Sequence, residues 1–168
     1  KSDGSWAWPP MLFENRVDKI KSYLDVMYEN GIVPEAECFD TGMVRSLSMF
    51  ESAGLLRKKY LVSLVMGIAS GMPAKSKWLP LLIEEMPQNS HWQVIAIGRE
   101  EIWPVLKKTI QLGGHIRTGL EDTFYLPDGS KTTSNGMLVE AAVKLVHQNG
   151  KEVSSLAETR ELLKSFLQ

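Results

Sequence analysis

Apolar residues along the chain switch repeatedly between a helical and a strand-like rhythm. From Glu14 onward, Val17, Ile20, Leu24, Met27 and Tyr28 recur at helical spacing, with Asp18, Lys19, Lys21 and Asp25 on the other side. Gly31 closes that helix as a left-handed C′ residue would. Pro34 leads into a short strand near 36–39, and a helix follows from Met43 to about Ala53. Leu61 to Met66 is a continuous apolar strand, followed by a helix near Lys77 to Met86. Trp92 to Ile97 is a third strand, ahead of a helix from Glu100 to Leu112 that carries Ile102, Val105, Leu106 and Ile110. Gly113 and Gly114 end it, and a fourth strand runs over 115–119. Leu138, Ala141, Ala142, Leu145 and Val146 mark the next helix, closed by Gly150. Ser155 with Glu158 forms a capping box for a last helix through Leu162, Leu163 and Phe166. Residues 1–13, with Gly4, Pro9 and Pro10, read as loop.

The order is therefore one helix, four βα units and a terminal helix. The strands are apolar throughout rather than alternating, as in parallel sheets covered by helices. Two α/β folds accept this: a doubly wound open sheet, or a (β/α)₈ barrel of TIM type. A whole barrel needs roughly 200 residues or more. At 168 residues the chain is too short for one, but four βα units are half of one.

Composition narrows the function classes. Lys plus Arg is 19 and Asp plus Glu is 20, a net charge of −1, which gives no support to a nucleic-acid or anionic-membrane partner. Cys38 is the single cysteine, so there is no internal disulfide framework and no multi-cysteine zinc site. No apolar run reaches the ~18 residues of a membrane span, and no apolar signal segment opens the chain. A cytoplasmic setting is expected. The first residue is Lys rather than Met, which suggests a processed, engineered or truncated start.

In both folds ligands bind beyond the carboxyl ends of the strands. The residues there are Asp40 and Thr41, then Gly67 to Gly71, expected as a flexible loop, then Gly98 to Glu100, then Gly119 to Asp122. The last group is the richest. Arg117, Glu121 and Asp122 stand at one strand end, where an Arg can hold one carboxylate ionised and leave the other for a metal or a proton. A structural salt bridge at a barrel rim is the plain alternative. Glu37 points into a barrel on strand alternation and Arg117 is its candidate partner; an exposed carboxylate at the start of a strand is the other reading. Gly98 and Arg99 open a helix, a setting that suits a phosphate, although an ordinary turn with a solvated Arg has the same sequence. His91, His115 and His147 are scattered, with no two at metal spacing. His115 reads as a core or helix-end residue, His147 as solvated, and Cys38 as inert.

Several of these segments resemble one family. Pro34-Glu-Ala-Glu-Cys-Phe-Asp40-Thr-Gly42 is similar to the P-E-x-E-x-F-D-x-G element of the β-keto acid cleavage enzymes. Gly113-Gly-His-Ile-Arg-Thr-Gly-Leu-Glu-Asp122 is similar to that family's G-G-H-x-R-x-G-L-E-D signature, which is highly specific. Ser134-Asn135, Leu138-Val139-Glu140 and Ala157-Glu-Thr-Arg-Glu-Leu162 continue in the family's order, so the resemblance runs from about Glu14 to the C-terminus. It implies a zinc-containing (β/α)₈ barrel of which residues 1–168 form the C-terminal half. It also implies a transferase reaction in which a β-keto acid and acetyl-CoA give acetoacetate and a new acyl-CoA.

By position, the resemblance makes Glu121 the carboxylate zinc ligand, and Arg117 and Asp122 the proton-transfer pair. Glu37 becomes a substrate-side carboxylate, with Glu35 one strand repeat away as the alternative. Gly98 and Arg99 are the candidate contacts to the CoA thioester. The family's other zinc ligands form a His-x-His pair on an early strand, and this chain has no His-x-His. A non-catalytic half-barrel that binds a partner is therefore the competing function. Two open strand edges would favour a homo-oligomer or association with a complementary half.

Overall fold

The computed structural model describes residues 3, 5, 12–57 and 59–166. Contacts divide the chain into two compact units, Lys1–Ile32 and Val33–Gln168. The loop expected over residues 1–13 lies largely outside the described residues.

The first unit carries helix α1, Val17–Glu29. It ends as the pattern predicts, with Asn30 at the C-cap and Gly31 at φ +66°.

The second unit holds β1 (Glu35–Cys38), α2 (Thr41–Ser52), β2 (Leu61–Met66), α3 (Leu79–Glu85), β3 (His91–Ala96), α4 (Trp103–Gln111), β4 (His115–Arg117), α5 (Asn135–Gln148) and α6 (Leu156–Phe166). The helices α3 and α4 begin later than their apolar pattern predicts. Each has a proline in its first turn and is preceded by a 3₁₀ turn, Ser76–Trp78 and Glu100–Ile102. The capping box at α6 is complete: the Ser155 N–H donates to Glu158 Oε2 at 2.7 Å and the Glu158 N–H to Ser155 Oγ at 3.2 Å.

The four strands are parallel, in the order β1-β2-β3-β4. That order decides between the two folds. A doubly wound sheet reverses its strand order at a switch point. Consecutive right-handed crossovers without a reversal put all connecting helices on one face, as in a barrel wall. The fold is α/β of TIM-barrel type, with this chain supplying four βα units.

The two faces of the sheet differ accordingly. Cys38, Val62, Leu64, Met66, Trp92, Val94 and Ala96 are buried on the helix-covered face. On the other face, register aligns Glu37 with Ser63, Ser63 with Gln93, and Gln93 with His115; Glu35, His91 and Arg117 share that face by alternation. Every polar strand residue lies on the side that corresponds to a barrel lumen. The strands read as fully apolar because Leu61, Val65 and Ile95 interrupt the polar set.

The loop after β2 is not loose, contrary to expectation. The Gly67 N–H donates to Met72 O and the Met72 N–H to Phe39 O, each at 2.7 Å, so the loop is stitched to the end of β1. Gly67 sits at φ +98°, and a Cβ there would lie 2.0 Å from Ile97 O. Both features exclude a side chain, and the obstacle is backbone. Gly67→Ala is expected to cost about 3 kcal/mol of stability, read from the urea midpoint of the folded protein. A loss under about 0.5 kcal/mol would show that this strand end is not built as described.

Candidate active site

The last strand and the turn after it carry the densest cluster of charge. Arg117 closes β4 on the polar face of the sheet. Its Nη2 donates to Asp122 Oδ1 at 2.6 Å and its Nε to Asp122 Oδ2 at 3.2 Å. This is the two-pronged geometry that a planar guanidinium offers a carboxylate. The Asp122 side chain is 2% exposed and that of Arg117 36%. Glu121 is next in the chain but points outward, 84% exposed, with Oε2 3.8 Å from Arg117 Nη2. The hydrogen bonds to Asp122 hold the Arg117 guanidinium above its ordinary value. Burial opposes this, while the charges of Asp122, Glu121 and Glu37 add to it.

The turn that presents the carboxylates is held from two sides. The N–H groups of Asp122 and Thr123 both donate to Gly119 O, and the Leu120 N–H donates to Asn135 Oδ1 at 2.8 Å. Asn135 is the first residue of α5, so the helix locks the turn that aims Asp122. In the sequence Asn135 is only part of a motif; its role appears once the turn and helix meet. Gly119 already belongs to the turn, which is why β4 stops at Arg117 and not at the expected residue 119.

The two glutamates of β1 separate clearly. Glu35 Oε1 accepts from Ser63 Oγ and from Gln93 Nε2, and Gln93 Nε2 also donates to Ser63 Oγ at 2.9 Å. Ser63 is completely buried, so this network satisfies a hydroxyl that would otherwise be orphaned. Glu37 lies one repeat nearer the carboxyl ends of the strands, exposed, and close enough for its charge to act on Arg117. The chain thus gathers Arg117, Glu121 and Asp122, adds Glu37 electrostatically, and gives Glu35 a structural partner set.

Gly98 and Arg99 stand beside this cluster but not in the manner of a phosphate-binding helix start. The Gly98 N–H donates to Asp122 O at 3.3 Å and the Arg99 N–H to Glu101 Oε1 at 3.2 Å. Both N–H groups are committed within the chain. A Cβ on Gly98 would stand 2.8 Å from Glu101 Oε1, the mobile end of that side chain, and 3.0 Å from Ile102 Cγ2. The Arg99 side chain remains available for binding, 64% exposed, with its guanidinium carbon 4.5 Å from the Tyr125 ring centroid. Asp40, the other strand-end carboxylate, caps α2 by accepting from the Met43 N–H.

His115 is exposed rather than in the core. Partial desolvation still lowers its pKa, with the nearby His91 adding to the effect. His147 is solvated as expected, with Nε2 3.3 Å from Glu152. Cys38 is buried, and desolvation pushes its thiol up to about 12, so it is inert at neutral pH. Among the described residues no group of three or more His, Cys, Asp or Glu side chains could hold a metal ion. No helix among them is long and apolar enough to cross a membrane.

Residues 3–164 match the family profile of the beta-keto acid cleavage enzymes. Over 152 residues the chain is 33% identical to the 3-keto-5-aminohexanoate cleavage enzyme of Fusobacterium nucleatum, covering 90% of this chain and 55% of that protein. It is 34% identical over 152 residues to the same-named enzyme of Acetoanaerobium sticklandii, with the same coverage. It is 29% identical over 163 residues to the 3-oxoadipate:acetyl-CoA acetyltransferase of Cupriavidus necator, with 57% of that protein covered. The chain spans about half the length of these curated relatives. In fold it is similar to the apo structure of ObcA, with a TM-score of 0.74 at 17% identity over 90% of this chain and 40% of that one.

Proposed function

We propose that this chain, which belongs to the beta-keto acid cleavage enzyme family, carries the proton-transfer half of an acyl-CoA-dependent β-keto acid cleavage site. The observation that supports it most is the two-pronged Arg117–Asp122 pair at the carboxyl end of the last strand. The relatives point to the co-substrate, since several are named as acetyl-CoA transferases.

Asp122 takes a proton from the carbon between the keto and carboxyl groups. Arg117, held protonated by its own partner, stabilises the enolate that results. The enolate carbon attacks the acetyl thioester carbonyl, a carbon–carbon bond forms, and CoA leaves as thiolate. The thiolate then adds to the original keto carbon. The bond from that carbon to the former enolate carbon breaks, giving a new acyl-CoA and the acetoacetate enolate, which recovers the proton from Asp122. Glu37 faces the substrate from β1. The Arg99 side chain contacts the thioester's phosphates beside Gly98.

A zinc ion would polarise the keto group as a Lewis acid. Glu121 is the one donor placed for it, and a single exposed carboxylate is not a zinc site. The described residues do not fit the ion by themselves, and none of the steps above runs through it. The remaining donors and the substrate pocket belong to the rest of a complete barrel.

The test is incubation of the complete barrel with acetyl-CoA and a panel of β-keto acids. Acetyl-CoA-dependent acetoacetate formation from at least one of them is expected. Binding of a keto acid or CoA without turnover by any would favour a non-catalytic module instead.

A further inference from the structure

The turn after β4 hangs on a single peptide group. Gly119 O accepts from the N–H of Asp122 at 2.9 Å and from that of Thr123 at 3.0 Å. The N–H of the same peptide belongs to Leu120 and donates to Asn135 Oδ1 at 2.8 Å. A peptide is planar, so its two ends turn together. Holding the N–H end therefore fixes the direction of the C=O end, and with it the backbone of Asp122. The Asp122 side chain is carried inward to Arg117, while that of Glu121, one residue earlier, is carried out to solvent. A rotation of this peptide would forfeit all three hydrogen bonds and re-aim both carboxylates.

Asn135 is built to be the fixed end. It opens α5, whose Leu138 and Ala142 are buried in the core. The start of that helix is tied down by other groups: the Ser134 N–H donates to Thr132 Oγ1 at 3.1 Å, and the Thr132 N–H to Phe124 O at 2.9 Å. Ser134 stands at the N-cap, where a serine usually bonds its own helix, yet it makes no side-chain cap bond. The side chain that does reach a backbone N–H here is that of Asn135, and it reaches back 15 residues. Its amide must present the oxygen, the only acceptor it has. Opposite it, a Cβ on Gly119 would stand 3.2 Å from that oxygen, closer than ordinary van der Waals contact, so the bare backbone at 119 gives the amide its approach.

We propose that Asn135 is a positioning residue for the proton transfer: by clamping the Gly119–Leu120 peptide it holds Asp122 against Arg117 in the geometry that step needs. The inference rests on the cleavage reading and adds to it a residue that acts only through Asp122. A misplacement of about 1 Å in a reacting group can cost about 10²-fold in rate. A turn is a poor holder of such precision, and a bond from a helix anchored in the core supplies it.

The experiment follows acetoacetate formation and C2-proton exchange in the complete barrel. Asn135→Ala is expected to lower both about 10²-fold, with KM for the keto acid and for acetyl-CoA within about 2-fold of native. Asn135→Asp keeps an acceptor oxygen in the same place and should stay within about 5-fold of native. Ser134→Ala, at the same helix start but without a hold on the turn, should leave the rates unchanged. With Asp122 already replaced by Asn, removing the Asn135 side chain should cost less than about 3-fold, because the group it positions is gone. Native rates in Asn135→Ala overturn the proposal. So do equal losses in the Ala and Asp variants, or an undiminished loss in the Asp122→Asn background, either of which would make Asn135 a structural support alone. Amide hydrogen exchange on the same samples keeps the two readings apart. Protection at Leu120, Asp122 and Thr123 should fall in Asn135→Ala. Unchanged protection there removes the clamp while the cleavage reading stands, whereas native protein that turns over no keto acid defeats the cleavage reading itself.

Discussion

Replacing Asp122 by Asn is expected to lower kcat for acetoacetate formation about 10³-fold, with KM for the keto acid changed little. General-base catalysis contributes about 10²–10⁴-fold, and the amide keeps the shape while losing the basic oxygen. Asn also offers Arg117 one acceptor where Asp122 offers two, so the guanidinium loses one prong as well. Arg117→Lys is expected to lose about 10²-fold, because an ammonium cannot hold Asp122 at both oxygens and still face the enolate. Exchange of the substrate's C2 protons with deuterated solvent, without acetyl-CoA, reads the first step alone. It should fall with kcat in Asp122→Asn. Exchange at the native rate with slowed turnover would move Asp122 from proton acceptor to a later role. Activity within tenfold of native in both variants would reduce the pair to a rim salt bridge.

The strands were legible because burial on the helix side demands apolar residues, and Leu61–Met66 keeps its expected bounds. The strand order was not legible, since both candidate folds use the same βα alternation. It took the β1-β2-β3-β4 register to remove the doubly wound sheet. At the site, residue types at a strand end pointed to Arg117 and Asp122. The different surroundings of Glu35 and Glu37 needed the partner strands, because Ser63 and Gln93 bond Glu35 from 28 and 58 residues away. Asn135 stood in the sequence only as part of a motif; its hold on the Leu120 N–H crosses 15 residues and needed the fold. Gly98 and Arg99 show how a local motif can hide longer-range hydrogen bonds. A glycine before a helix has the look of a phosphate loop; here the Gly98 N–H donates to Asp122 O and the Arg99 N–H to Glu101 Oε1.

The 168-residue chain produced by itself is expected to associate, and to hold far less than one zinc per chain. Parallel sheets are stable with both faces covered, and in this unit the connecting helices take one face. The other face carries Glu35, Glu37, Gln93 and Arg117, side chains fitted to line a pocket rather than to face open solvent. Within the sheet, β1 and β4 are the edges, and each offers a row of backbone donors and acceptors to another strand. Val139 and Val153, which line one hollow with the β4 residues, are 49% and 53% exposed. Apolar surface of this kind beside an open edge marks a contact face. A second copy, or the complementary four βα units, would cover both. The two give different metal contents. A second copy brings only another Glu121, and two lone carboxylates do not make a zinc site. A complementary half with its own imidazole donors would complete one. Light scattering and metal analysis on the chain alone, then after mixing with the N-terminal half of a family member, distinguish them. Mass above the monomer without zinc, followed by uptake of about one zinc per reconstituted barrel, is the expected course. A monodisperse monomer carrying one zinc per chain would mean that the ligands lie elsewhere in this sequence and that Glu121 has been given the wrong role.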